Sequence, residues 1–188
     1  MKITIIAVGK IKEKYYRDAI AEYAKRLSRY CKLEIIEVED EKTPDKAAPT
    51  EEELIRGKEA ERILKHLKDD AYIVTLEIAG EMYDSVGFAR NLARLGVQGN
   101  SYIQFIIGGS LGLHEKVCRR ADLALSFSDM TFPHQLMRVI LLEQLYRGFR
   151  IMKGEPYVLS THMLLGRLVH SLQNGLPQIR PILLWSII

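Results

Sequence analysis

Cysteine is scarce in this sequence: Cys31 and Cys118 are the two it has, far apart and with no partner motif around either. That excludes a disulfide framework and reads as two buried, inert thiols of a protein in a reducing, cytoplasmic setting. No GK[ST] triplet occurs anywhere, so no Walker A loop is present. A G-x-G-x-x-G fingerprint after the first strand is missing as well. A lone Gly9 follows that strand, which disfavours a nicotinamide dinucleotide. His66, His114, His162 and His170 show no ligand spacing, so no metal is expected. The N-terminus offers one lysine and the run KITIIAV, too short and too little flanked for a signal peptide or a membrane span. No internal repeat or low-complexity tract appears.

What is present is ordinary for a soluble globular chain: 188 residues, 47% hydrophobic and 27% charged. That is one domain, or one domain with an appendage. The formal net charge of +3 does not by itself announce a nucleic-acid partner. Its distribution says more. Lys12, Lys14, Arg17, Lys25, Arg26 and Arg29 lie on the first helical stretch. A second basic group runs from Lys116, Arg119 and Arg120 to Arg138, Arg147, Arg150 and Lys153, while acids gather in 37–61. A segregated basic surface attracts phosphate backbone, and solvated helix faces account for the same charges.

Hydrophobic periodicity predicts strands at 2–8, 32–38, 71–76, 101–107 and 123–127. Helices are predicted at 12–29, from a Thr50/Glu53 capping box to about Leu67, around 85–95, at 114–121, and at 134–153 with Pro133 near the first turn. Gly80 reads as a turn. Strict alternation of strand and helix implies an α/β domain with a mainly parallel sheet and helices on both faces.

In such sheets ligands bind beyond the carboxyl ends of the strands. Three segments fall at that rim: Leu76-Glu77 after the third strand, the glycine run FIIGGSLGL (105–113) after the fourth, and FSDMTFPHQ (127–135) after the fifth. Gly108 and Gly109 expose bare backbone to a ligand, or else simply close a tight strand-to-helix turn. The aromatics, methionine and hydroxyls of 127–135 suit a flat, moderately polar heterocycle such as adenine; Phe132 alternatively staples the last helix. That helix has one broad apolar face, Leu141, Leu142, Leu145, Phe149 and Met152, with Arg138 near its centre. So much apolar surface predicts packing against a second subunit.

The end of the chain changes character. Residues 158–188 hold no acidic residue, carry Arg167 and Arg180 as their full charges, and finish PQIRPILLWSII. They are read as an atypical apolar C-terminal extension of a domain spanning 1–157; exposed, they would be an aggregation liability.

FIIGGSLGL together with LSFSDMTFPHQLMRVILLEQLYRGFRI, MKITIIAVGKIKEKY and GEPY resembles the RlmH family of the SPOUT methyltransferases, through nearly all of residues 1–157. The resemblance implies an S-adenosyl-L-methionine-dependent enzyme that methylates N3 of a pseudouridine in bacterial 23S rRNA of the assembled 70S ribosome. It also implies an α/β-knot fold with a C-terminal trefoil knot, against the general avoidance of knots, and a cytoplasmic homodimer. Cofactor contacts carry over to Leu76, Gly108, Phe127, Ser128, Asp129, Met130, Thr131 and Phe132. His134 and Arg138 match polar family positions suited to base positioning or proton handling, with a core or helix-capping histidine as the other account of His134. Arg147 and Tyr157 are the implied RNA contacts. Family members finish with a histidine and a basic residue after Glu-Pro-Tyr, whereas here Tyr157 is followed by Val158. Two alternatives therefore stand beside the enzyme: a cofactor-binding homologue impaired by its altered C-terminus, and a non-catalytic RNA-binding module.

Overall fold

The computed structural model describes residues 1–44 and 46–156. Its elements run β1 (Lys2–Val8), α1 (Lys14–Leu27), β2 (Lys32–Val38), α2 (Pro49–Leu64), β3 (Tyr72–Met82), α3 (Ser85–Val97), β4 (Tyr102–Ile107), α4 (Glu115–Cys118), β5 (Leu123–Ser126) and α5 (His134–Met152). The strands form one sheet in the order β2-β1-β4-β3-β5, and every pairing is parallel.

β1 and β4 lie inside the sheet and are mainly apolar on both faces, as befits strands covered on both sides, with Thr4 and Gln104 as their buried polar residues. Alternation along β1 divides the core. Ile3, Ile5 and Ala7 pack with Leu27 of α1, Phe88, Leu92 and Leu95 of α3, and Leu141, Leu142 and Leu145 of α5. Ile6 and Val8 turn the other way, onto Ala60 and Ile63 of α2 and Val117 of α4. Helices thus cover both faces. α5 lies against both α1 and α3, so much of its apolar surface is buried within one chain.

Several local expectations need correction. The Thr50/Glu53 capping box does not form. α2 starts two residues earlier, with Pro49 in its first turn and Ala48, not Thr50, as an N-cap that makes no side-chain hydrogen bond; proline there already has φ suited to a helix and no N–H to satisfy. The helix read at 114–121 is four residues long. Cys31 is buried but Cys118 only half-buried.

Gly80 is not a turn. β3 continues past Leu76 to Met82, and the register slips so that Leu125 of β5 faces first Leu76 and then Glu81. Residues 77–80 bulge between these pairings. A Cβ on Gly80 would stand 2.7 Å from the Leu125 carbonyl carbon and 2.8 Å from that of Ala124. Glycine is there because two backbones touch. The turn into α3 falls later, where the Asp84 carboxylate accepts the Gly87 N–H at 2.6 Å.

Candidate active site

The carboxyl ends of β3, β4 and β5 meet at a cleft of about 710 Å³, a size suited to a small organic ligand. From β3 come Leu76, Glu77 and Ile78; from the end of β4, Ile107 and Gly108–Gly112. From the segment after β5 come Phe127, Ser128, Met130, Thr131, Phe132 and Pro133, and α5 adds His134 and Met137. The three rim segments selected by their place in the strand order converge on one cavity.

The glycine run folds back on itself. Gly109 and Gly112 form an isolated antiparallel bridge, and the Gly112 N–H donates to the Gly109 carbonyl at 3.1 Å. A Cβ on Gly108 would come within 2.8 Å of the Gly112 carbonyl carbon. The glycines close a tight turn, and that turn lines the cleft. Beneath it lies a residue that the sequence concealed. Glu59 of α2 is 5% exposed, and its Oε1 accepts the Glu41 N–H at 3.0 Å. A Cβ on Gly109 would sit 3.0 Å from its other oxygen. Burial pushes the Glu59 carboxyl above its usual range, against the backbone hydrogen bond that lowers it.

The segment after β5 is held by its own hydroxyls. Ser126 Oγ donates to the Ser128 carbonyl at 3.2 Å, and Ser128 Oγ accepts the Met130 N–H at 3.0 Å. Met130 stands out at 72% exposure. Asp129 is exposed and does not line the cleft. On the β3 side Thr75 Oγ1 donates to Glu77 Oε1 at 2.6 Å. The Cys118 thiol hydrogen-bonds the same carboxylate, and burial, then Glu77, push its pKa up to about 11. Cys31 likewise rises to about 11 through burial. Both thiols therefore stay protonated.

His134 opens α5 at the cleft rim. Burial, then the neighbouring Arg138 charge, lowers its pKa from the ordinary histidine value, while Asp40 and Glu13 pull the other way. A Cβ on Gly9 would lie 3.3 Å from His134 Nε2, so the β1–α1 turn is pressed against the imidazole.

Arg138, one turn on, is 1% exposed and does not line the cleft. Nη1 pairs with Glu37 Oε1 at 2.7 Å; Nη2 donates to the Val8 carbonyl at 2.7 Å and the Gly9 carbonyl at 2.5 Å. Arg147 lies further along α5, pairs with Glu143 at 2.5 Å, and is also outside the lining. Tyr157 and the 158–188 extension lie outside the described residues. Among the described residues there is no His/Cys/Asp/Glu group fit for a metal ion, and no helix is long and apolar enough to cross a membrane.

The family described as "Predicted SPOUT methyltransferase" matches residues 1–158. Over 157 residues the chain is 60% identical to the ribosomal RNA large subunit methyltransferase H of Clostridium kluyveri, covering 84% of this chain and 99% of that protein. The protein of the same name from Bifidobacterium adolescentis is 61% identical, and that from Clostridium acetobutylicum 59%, each over the same shares of the two chains.

Proposed function

The chain belongs to the SPOUT methyltransferase family, and from that premise we propose that it methylates N3 of a pseudouridine in the large-subunit RNA of the assembled ribosome, with S-adenosylmethionine held in the cleft. The observation that carries this reading is the meeting of three strand-end segments on one cavity. Leu76, Ile107, Phe127 and Phe132 offer apolar walls to a purine. Ser110 and Thr131 hydroxyls, the Glu77 carboxylate and the bare backbone at Gly108 supply polar contacts. That mixture fits an adenine nucleoside bearing a charged arm. Of the expected contacts, Leu76, Gly108, Phe127, Ser128, Met130, Thr131 and Phe132 line the cleft, and Asp129 is exposed outside the lining.

S-adenosylmethionine, when bound, supplies an electrophilic methyl group on sulfur. The chain must then hold the base in line and accept the proton of its N3–H. His134 is the candidate acceptor: it stands at the rim, and its surroundings favour the neutral imidazole. Arg138 acts through position, by fixing the β1–α1 turn against His134. Exposed Ile78 and Met130 beside the cleft fit a second copy of the chain as its cover, and the homodimer is part of this proposal, as are a cytoplasmic setting and a trefoil knot through the same segments.

Calorimetric titration with S-adenosylmethionine tests the cleft. Saturable binding, with the melting temperature raised by roughly 5–10 °C at a hundredfold excess over Kd, is the expected result. No heat and no shift would remove the reading. Transfer of labelled methyl to undermodified ribosomes tests the reaction. Binding without transfer, with transfer restored when 158–188 is replaced by His-Lys, would select the impaired homologue instead.

A further inference from the structure

One feature beside the cleft remains unused by this reaction: the segment GKIKEKYYR, which leaves β1 and forms the first turn of α1. Lys10, Lys12, Lys14 and Arg17 are all exposed. Tyr15 is 63% exposed, with its ring centroid 4.3 Å from that of Tyr16. The Tyr15 ring, hydrogen-bonded to Tyr16, stands in solvent between Lys14 and Arg17 and offers an aromatic face among cations.

The segment is also built, not merely exposed. Arg17 Nη1 donates to the Ile11 carbonyl at 3.2 Å and the Lys12 carbonyl at 2.6 Å, which spends the arginine on shaping the turn. The Lys12 N–H donates to Gln135 Oε1 at 3.1 Å, tying the turn to the first residues of α5. Gly9 presses on His134, which lines the cleft. Glu13, the one acid within the segment, keeps Oε2 shielded from water and acts on His134 electrostatically. Lys14 and Asp18 approach only to 4.0 Å, both well exposed, a pairing worth little. What faces solvent at the rim is therefore three lysines and a tyrosine ring.

We infer that residues 10–17 form a docking surface for the unpaired ribosomal RNA flanking the target base, with Lys10, Lys12 and Lys14 on phosphates and Tyr15 stacked on an adjacent base. The inference rests on the proposed function and names the part of the substrate that the β1–α1 turn meets. Phosphate contacts supply affinity and register, and an aromatic platform takes any base by its face. Double-stranded RNA gives no exposed base face, which is why the surface points to a single-stranded stretch.

The test uses the full chain, undermodified ribosomes, and two variants: Tyr15→Ala, and Lys10/Lys12/Lys14 all →Ala. The readouts are ribosome affinity across a potassium chloride series, methyl transfer, and calorimetric affinity for S-adenosylmethionine. The lysine variant is expected to flatten the log Kd against log salt slope by about 2, the release expected from three single-strand phosphates. The tyrosine variant should weaken ribosome binding by roughly 5- to 100-fold, the worth of one base–aromatic stack, and Tyr15→Phe should restore it. Cofactor affinity should stay within about twofold in all of them, which also reports an intact fold. An unchanged slope and unchanged affinity would overturn the inference. So would a drop to a smaller species in sedimentation of Tyr15→Ala, since the ring would then be covered by a second copy. If the unaltered chain binds the ribosome and transfers methyl while the variants match it, this surface alone fails. If the unaltered chain does neither, the proposed function fails with it.

Discussion

Arg138 and Glu37 form an ion pair of 2.7 Å in which the arginine is 1% exposed and the carboxylate partner 35%. The pair joins the start of α5 to β2. Through Nη2 the same guanidinium satisfies two carbonyls at the end of β1, at Val8 and Gly9. One side chain thus fixes the relative position of a sheet edge and a helix start at the cleft, and only a planar, forked cation can do so.

Replacing Arg138 with alanine should cost about 3–5 kcal/mol, because the buried Val8 and Gly9 carbonyls both lose a charged donor at roughly 1.5–3 kcal/mol each. At this chain length that lowers the melting temperature by roughly 10 °C or more. Arg138→Lys should recover only part of the loss, because an ammonium is a point charge and cannot span three oxygens with the same geometry. Glu37→Gln should be milder than Arg138→Ala, since glutamine still offers an oxygen to Nη1 and both carbonyl contacts of Nη2 remain. Thermal melts of the three variants check the order; an Arg138→Ala protein as stable as the parent would refute the clamp.

Gly80→Ala should destabilise the chain and weaken cofactor binding together. The new methyl would sit 2.7–2.8 Å from β5 backbone atoms, which cannot rotate away as a side chain can. Pushing β5 from β3 costs about 1–3 kcal/mol as an overpacking effect and moves Leu76 and the 127–132 segment, two walls of the cleft. Melting and calorimetric titration on one sample check this; an unchanged cofactor affinity would separate Gly80 from the site.

The strands inside the sheet were legible because a parallel strand buried on both faces is a nearly continuous apolar run, as in KITIIAV and YIQFII, each broken by one buried polar residue, Thr4 and Gln104. The rim segments were legible from topology, since every strand end in a parallel sheet points the same way. What escaped had tertiary causes. The pattern of AYIVTL stops at Glu77, and Gly80 resembles a turn; the strand resumes beyond the 77–80 bulge because Glu81 and Met82 pair again with β5. Glu59 sits in KEAERIL, which reads as a solvated helix face until Gly109 covers it. The carbonyls that hold Arg138 lie about 130 residues away in sequence, and no local signal announces them.

Glu59 should make stability depend on pH in an unusual direction for an acid. Its folded-state pKa is raised, with burial the main cause. Its contribution is therefore complete below the unfolded value near 4.5 and is lost as pH rises through the folded value. Glu59→Gln keeps an acceptor for the Glu41 N–H without the buried charge. The variant should melt close to the parent at pH 4 and progressively above it toward neutrality. Glu59→Ala leaves that N–H without its acceptor and should lose about 1–3 kcal/mol. Melting curves for both variants across pH 4–8 decide the matter, and parallel curves for parent and Glu59→Gln would rule out the buried charge.

The acidic limb of methyl transfer should belong to His134. Its folded-state pKa is lowered, by burial first and by Arg138 second, and its place at the start of α5 adds the unfavourable positive end of the helix dipole. The imidazole is thus mainly neutral at pH 7, and protonation sets in only below the ordinary value of 6.5. The stability carried by the neutral ring follows the same sign: it is complete above 6.5 and is lost as pH falls through the folded value. Transfer should therefore fall on acidification with a midpoint below 6.5. His134→Ala should remove that limb and slow transfer by about 10²–10⁴-fold, the usual worth of a positioned proton acceptor. Affinity for S-adenosylmethionine should change far less, because the walls of the cleft come from other segments. Single-turnover rates on ribosomes from pH 5 to 9 check both statements. If His134→Ala keeps the parent's rate and its acidic limb, the proton leaves by another group, and His134 is a packing residue at the rim.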